Sequence, residues 1–308
     1  MNMPARNSGV INQGNGTINF SGVAIGDGAS VTPVLHGRTV EAISPERCSI
    51  ALLTVLPVET FAVRRSMQVL PGYRKFIGPQ GAPYCEAEVI ADGKRHRVMA
   101  TQTADQGQRS AVIAFGNLVK YYSPALVVLV GIAGGIHRDV RVGDVVVAHE
   151  VVYYDARKET AAGTVRRGQE LSAPVLVRHA ANDFFADHGK PCELTDDGAS
   201  AVGGRFRVWA GPIGSGEAVL GDAESGIRAY LAQYNDKLLA VETEAAGVAQ
   251  ALYEMAGAPE APLGWLTVRG ISDAADQAKD DSQQELASRR AAAVVELLFP
   301  YLLSRVQI

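Results

Sequence analysis

Cysteine is scarce in this chain of 308 residues: Cys48, Cys85 and Cys192 are far apart, and none belongs to a CxxC pair. That pattern excludes a disulfide framework and a cysteine zinc site, and it reads as reduced thiols in a cytoplasm. No uninterrupted apolar run reaches the roughly 20 residues needed to cross a bilayer, and the first residues lack the basic-then-apolar pattern of a secretory signal. A cytoplasmic protein without a membrane partner is expected. Excess positive charge is also missing, because 29 Lys and Arg against 33 Asp and Glu leave a formal net charge of -4. A dedicated nucleic-acid surface is normally basic overall or carries a basic stripe. Nucleic acid is therefore not expected as a partner. The six histidines are scattered. None is paired at metal-ligand spacing on a helix, so His137 and His149 read as surface or loop residues and no metal is implied.

What is present is the composition of a soluble globular protein, with 47% hydrophobic and 20% charged residues. Single cores seldom grow far beyond about 250 to 300 residues. One large domain, or a domain with an appendage, is expected. Residues 1–45 differ from the rest: GVINQGNGTINFSGVAIGDGASVTP is rich in Gly, Asn, Ser and Thr and carries short apolar pairs such as Ile18/Phe20 and Val23/Ile25. Composition alone allows a flexible tail, whereas the period-two pairs between glycine turns allow a small β module or arm. The boundary is drawn at residues 1–45 for the arm and 46–308 for the main domain.

From Cys48 onward β and α patterns alternate. SIALLTVLPVE reads as a strand, YCEAEVIADG and KRHRVMATQT as a hairpin turning at Asp92-Gly93, SAVIAFGNLVKYY as a helix, and ALVVLVGIAGG as a strand entering a glycine turn. RVGDVVVAHEVVYYD holds two more strands, LSAPVLVRHAANDFFADHG a helix, and FRVWAGPIGSGEAVL a strand leading into a loop. KLLAVETEAAGVAQALYEMAG is strand then helix, and PLGWLTVRGISD a last buried strand. SQQELASRRAAAVVELLFPYLL closes the chain as a helix with Ser282 as N-cap and Leu286, Val294, Leu297 and Leu298 inward. Continuous apolar strands alternating with helices imply an α/β fold whose largely parallel or mixed sheet is covered on both faces.

In open α/β sheets ligands bind at the carboxyl ends of strands. Four such ends stand out: Glu59 after SIALLTVLPV, the glycines Gly131 to Gly135, the pair Glu242/Glu244, and Asp273 after WLTVRGIS. There is no Ser-His-Asp arrangement, no Walker A loop and no GxGxxG. Acid chemistry is what remains. Each acid alone has an ordinary structural explanation, as a helix-start carboxylate, a loop cap or the polar edge of a first turn. Three of them at strand ends in one chain make a site the better reading.

The combination of VGIAGGIHRDVRVGDVVV, AVETEAAGVAQA and TVRGISDAAD resembles the purine nucleoside phosphorylase and nucleosidase superfamily, on the branch of methylthioadenosine/S-adenosylhomocysteine nucleosidases. The likeness spans roughly residues 48–304, and the Gly/Asn-rich start is similar to leaders in front of bacterial antiviral defence effectors. The resemblance implies a three-layer α/β/α sandwich around a mixed sheet, a homodimer or higher homo-oligomer, and no metal or organic cofactor. It implies that Glu59 activates the attacking water, that Glu244 grips the ribose hydroxyls and that Asp273 protonates the purine at N7. Ser272 lies beside Asp273, Val219 and Leu220 fall in the loop that reads the base, and Gly134 belongs to the glycine run beneath. Thr243 and Glu242 complete the ribose side, Glu242 as a supporting group. The chemistry agrees with these roles. A purine departs from an oxocarbenium-like sugar only if an acid protonates it, and an apolar pocket helps an acid keep its proton.

Family phosphorylases hold phosphate with an arginine in the strand before the glycines and with a Ser or Thr among them. ALVVLV and GIAGG supply neither. A glutamate at position 59 would also repel phosphate, so water is expected as the second substrate and the free purine, adenine, as a product. After YYD this chain departs from the nearest branch, with Arg157-Lys158-Glu159 and then Arg166-Arg167. They read either as a solvated basic loop or as a receiver of 5′ phosphates, which would make the substrate an adenine nucleotide. The alternatives are methylthioadenosine or S-adenosylhomocysteine as substrate, and a nucleotide or nucleoside sensor without chemistry.

Overall fold

A computed structural model describes residues 47–196, 204–277 and 281–306. The arm expected over residues 1–45 lies outside them. In chain order the elements are β1 (Ile50–Thr54), α1 (Pro57–Met67), β2 (Arg74–Ile77), β3 (Pro83–Ala91), β4 (Lys94–Gln102), α2 (Gln108–Tyr122) and β5 (Leu126–Gly135). There follow β6 (Val145–Ala148), β7 (Glu150–Tyr153), β8 (Arg157–Thr160), β9 (Gly163–Arg166), β10 (Gln169–Ser172), α3 (Val175–His188) and β11 (Cys192–Thr195). The last are β12 (Arg205–Ala210), β13 (Ile213–Ser215), α4 (Gly226–Tyr234), β14 (Ala240–Glu242), α5 (Ala245–Glu254), β15 (Gly264–Asp273) and α6 (Gln284–Leu303).

The sheet is mixed, and its path runs β10-β7-β13-β14-β5-β1-β4-β3-β2. β15 lies parallel to β5 along nearly its whole length and carries β6, then β12 and β11, on its other side. β5 is therefore the hinge of the architecture. Its first residues pair with β1 and β15, whereas Gly134 and Gly135 at its end pair with β14 and run antiparallel to it. Every residue of β1 and β15 is buried. Continuous Val, Leu and Ile runs are what such doubly covered strands require. Helices α1 and α3 pack on α6, and α2 packs on α5, giving a helix layer on each side of the sheet. No helix of the described residues is long and apolar enough to cross a membrane.

Local chemistry explains the elements. The β3–β4 hairpin turns at Asp92 and Gly93, both at positive φ (49° and 72°), the backbone that Asp-Gly favours in a two-residue hairpin turn. Three details differ from the expectation. GIAGG does not turn: Gly131–Gly135 continue β5, because β15 keeps hydrogen-bonding them. The N-cap of α6 is Gln283, one residue after Ser282, with no side-chain cap. Leu297 is exposed, since the inward stripe of α6 is formed by Ala287, Ala291, Val294, Leu298 and Leu302, and Leu297 falls at its margin.

Candidate active site

A cavity of about 390 Å3 opens where β1, β5, β14 and β15 end. Glu59, Gly134, Val219, Leu220, Glu242, Thr243, Glu244, Ser272 and Asp273, nine of the residues expected at the site, line it together. Polar strand ends far apart in sequence converge because β1, β5 and β15 run parallel and end on one side of the sheet, where β14 meets the last glycines of β5 antiparallel to them.

Glu59 is the third residue of α1 and is 2% exposed. Its Oε2 accepts the N–H groups of Val55 and Leu56, both at 2.8 Å, and its Oε1 accepts that of Ile132 at 2.9 Å. The first two close a capping interaction that also starts the helix. Burial pushes the Glu59 carboxyl above the ordinary glutamate range; Arg269 and the three backbone donors oppose the shift. Such a carboxylate is fixed in place and has raised basicity, the combination a general base needs.

The β5 glycines make room for this group. A Cβ on Gly131 would lie far inside van der Waals contact of Glu59 Oε1 and Arg269 Nη1. One on Gly134 would come within 2.8 Å of the Ala275 methyl and 3.0 Å of Asp273 Oδ1. Neither glycine is at positive φ. What they provide is close approach of a strand to two acids.

Asp273 ends β15. Its Oδ2 accepts from Ser272 Oγ at 2.8 Å and its Oδ1 from the Ala275 N–H at 2.8 Å. Ala275, whose own N–H reaches the acid, holds a left-handed backbone (φ 51°), an uncommon state for alanine.

Glu242 and Glu244, two residues apart, have different duties. Glu242 receives the N–H groups of Glu244 and Ala245 at the start of α5, together with an Arg269 Nη2 contact. Burial pushes its carboxyl up, Arg269 opposes and Glu244 adds to the shift. Glu244 Oε1 accepts from Gly107 N at 3.0 Å and from Thr243 Oγ1, and Oε2 accepts from Arg269 Nη2 at 3.2 Å. Glu242 anchors the helix, and Glu244 faces the cavity.

Arg269 was not among the expected residues. It is 1% exposed in the middle of β15, and its guanidinium joins Glu242 and Glu244 and lies 4.0 Å from Glu59. Burial works against its charge, but the three carboxylates outweigh burial and raise its pKa. The signal was legible in GWLTVRGISD: a cation inside an otherwise apolar buried strand must have partners.

The loop after β13 forms the remaining wall. Tyr154, fully buried, donates from its hydroxyl to the Ala218 carbonyl at 2.8 Å, and Asp155 accepts the Glu217 N–H. A Cβ on Gly216 would collide with the Tyr154 ring. Leu220 is buried, while Val219 is 65% exposed at the rim. Arg157 and Lys158 do not line the cavity. They belong to the β8–β9 hairpin, where the Arg157 guanidinium is engaged by Asp155 at 3.2 Å and Glu159 at 2.9 Å.

Known proteins match this chain in sequence and in fold. The family model described as the phosphorylase superfamily covers residues 49–300. The chain belongs to the phosphorylase superfamily. Among superfamily relatives, an ATP nucleosidase, Cap17, from Escherichia coli (strain KTE188) is 28% identical over 259 residues, covering 80% of this chain and 50% of that protein. A 5′-methylthioadenosine/S-adenosylhomocysteine nucleosidase from Bacillus subtilis (strain 168) is 29% identical over 192 residues, 62% of this chain and 75% of the relative. The chain thus spans about half the length of Cap17. In fold, S-adenosylhomocysteine nucleosidase from Streptococcus pyogenes superposes with a TM-score of 0.63 at 17% identity, covering 82% of this chain and 97% of that one.

Proposed function

We propose that the chain hydrolyses the N-glycosidic bond of an adenine nucleoside or nucleotide and releases adenine. One observation carries the reading: Glu59, Glu244 and Asp273, distant in sequence, line one cavity, and each is held by its own backbone donors. Asp273, steadied by Ser272, donates a proton to N7 as the C1′–N9 bond breaks and its electron pair goes to the purine. Glu59 takes a proton from water as the water oxygen attacks C1′. Glu244 accepts the ribose hydroxyls, and its charge favours the cationic sugar. Backbone groups at Ala218 to Leu220 receive the base. Thr243 and Glu242, with Arg269, hold Glu244 in place.

The Glu59 geometry supports an enzyme over a sensor. Gripping ribose requires Glu244 alone, and a buried carboxylate of raised basicity beside the sugar has no use in passive binding. Water is favoured over phosphate because five carboxyl groups, those of Glu59, Glu242, Glu244, Asp273 and Asp281, line the cavity and no Lys or Arg does, the nearby Arg269 being held by Glu242 and Glu244.

For the 5′ group we propose phosphates. Gln106 and Gln284 give the cavity a polar margin, which suits a charged 5′ group better than an alkylthio chain, while the anionic Asp281 beside them works against phosphates and must be outweighed by the hairpin cations. The relation to an ATP nucleosidase points the same way. Arg157 and Lys158 remain the proposed phosphate contacts, with the hairpin moving inward on binding. Purified protein is incubated separately with adenosine, methylthioadenosine, AMP and ATP, and free adenine is followed by chromatography. Adenine is expected from a nucleotide at a higher kcat/KM than from either nucleoside, and Arg157→Ala with Lys158→Ala should lower the nucleotide rate selectively. Preference for methylthioadenosine would overturn the nucleotide reading. No adenine from any of the four would overturn the enzyme.

A further inference from the structure

Helix α1 has a second surface that the catalytic site does not use. Its inward side carries Glu59, Ala62, Val63 and Met67. Phe61, Arg64, Arg65 and Gln68, spaced i, i+3, i+4 and i+7, form one stripe on the other side. That stripe lines a cavity of about 600 Å3, with Lys75 of β2 and Gln102 of β4 opposite, and no carboxylate is among the lining residues. It shares no lining residue with the catalytic cavity.

What distinguishes this face is that three cations share one cavity whose lining holds no acid. Four exposed arginines elsewhere have acidic partners: Arg74 with Glu86, Arg95 with Glu88, Arg157 with Glu159 and Arg305 with Asp183. Arg64, Arg65 and Lys75 form no ion pair among the described residues, in a chain whose net charge is -4. Glu296 of α6, which packs on α1, is taken by Ser66. Three cations without an ion pair among the described residues therefore line one concave surface. Arg64 is half-buried with a contact to the Cys85 thiol, Arg65 and Lys75 are exposed, and Phe61 beside them is 57% exposed. Guanidinium groups bind phosphate oxygens through paired N–H donors, an ammonium adds a point charge, and an exposed ring offers a stacking face to a base. The volume lies within the roughly 300–1,000 Å3 of small-molecule sites.

We propose that this cavity is a second, non-catalytic binding site for a nucleoside polyphosphate, with Arg64, Arg65 and Lys75 on the phosphates and Phe61 against the base. This goes beyond the catalytic reading and does not depend on it.

The test uses two probes on the full chain. Tripolyphosphate carries the charge without a nucleoside, and it is measured on a chain carrying Arg157→Ala and Lys158→Ala, which removes the phosphate contacts proposed for the catalytic site. UTP adds a non-purine base. Calorimetry should find one tripolyphosphate site per chain, weakened at least about tenfold by Arg64→Glu or Lys75→Glu, each of which removes a charge-assisted contact. Phe61→Ala should weaken UTP more than tripolyphosphate. Unchanged circular-dichroism melting of these surface variants excludes misfolding as the cause. Absent tripolyphosphate binding, or affinity within about twofold after either charge reversal, would overturn the proposal. Equal effects of Phe61→Ala on both probes would overturn its nucleoside part. If the reversals change only the sedimentation behaviour, the face is a contact between copies of the chain and the proposal fails.

Discussion

At Glu59 and Asp273 the same kind of side chain has two kinds of surroundings, and substitutions there separate position from chemistry. Asp273 accepts one bond from a hydroxyl and one from a backbone N–H. Asparagine can keep Oδ1 on the Ala275 N–H and turn its NH2 towards Ser272 Oγ, which also accepts. Asp273→Asn should therefore fold normally and lose about 10²-fold or more in kcat, the scale of a general acid, measured as adenine release alongside thermal melting. Glu59 has no such neutral substitute, because backbone donors face both of its oxygens and the NH2 of glutamine would confront one of them. Its raised pKa also sets a pH dependence. As the proposed base, Glu59 must be ionised, so kcat/KM should fall as pH decreases through a value above the roughly 4.3 of a free glutamate, and a rate profile locates that limb. Arg269 carries the opposite risk: Arg269→Met leaves three carboxylates buried without their cation and should cost roughly 3–5 kcal/mol in denaturant unfolding. The acids could be read from the sequence because each ends an apolar run. Arg269 was missed because it lies within one, where a charged residue is normally excluded.

Among the elements, β5 shows what periodicity leaves out. Gly131, Ile132, Ala133, Gly134 and Gly135 look like a turn, since glycine most often marks one. In the folded chain they are strand, and their lack of side chains lets Glu59 and Asp273 press against the backbone. Gly131→Ala should therefore preserve the sheet while displacing Glu59 and Arg269. The expected outcome is a protein of near-native circular dichroism with adenine release reduced at least tenfold, and near-normal turnover would show that the packing is looser than drawn. The buried strands were legible because burial on both faces demands unbroken apolar runs. β8 and β9 were not, because a hairpin exposed along most of its length has no apolar face to leave a period. Its charges were noticed, but sequence spacing could not tell that Asp155 and Glu159 would engage Arg157.

For the whole molecule, a mixed sheet between two helix layers brings four strand ends to one place, and the superfamily match over residues 49–300 covers all of them. The catalytic unit is proposed to be residues 46–308. A chain starting at residue 46 should keep kcat/KM for base release within a few fold, and loss of turnover with retained folding would assign the arm a part in the site. Why such a protein carries that arm was not legible, since Gly/Asn-rich composition fits a tail or a β module equally well. The second cavity was hidden for a related reason. Phe61, Arg64, Arg65 and Gln68 read as an ordinary solvated helix face until Lys75 and Gln102 arrive from other strands.

The central claim is that water, activated by Glu59, replaces a purine protonated by Asp273. Turnover in phosphate-free, 18O-labelled water tests it directly, with adenine measured by chromatography and the sugar by mass spectrometry. The predicted result is equal amounts of adenine and a ribose product carrying one 18O atom. Adenine release only on addition of phosphate, with a ribose 1-phosphate product, would contradict it.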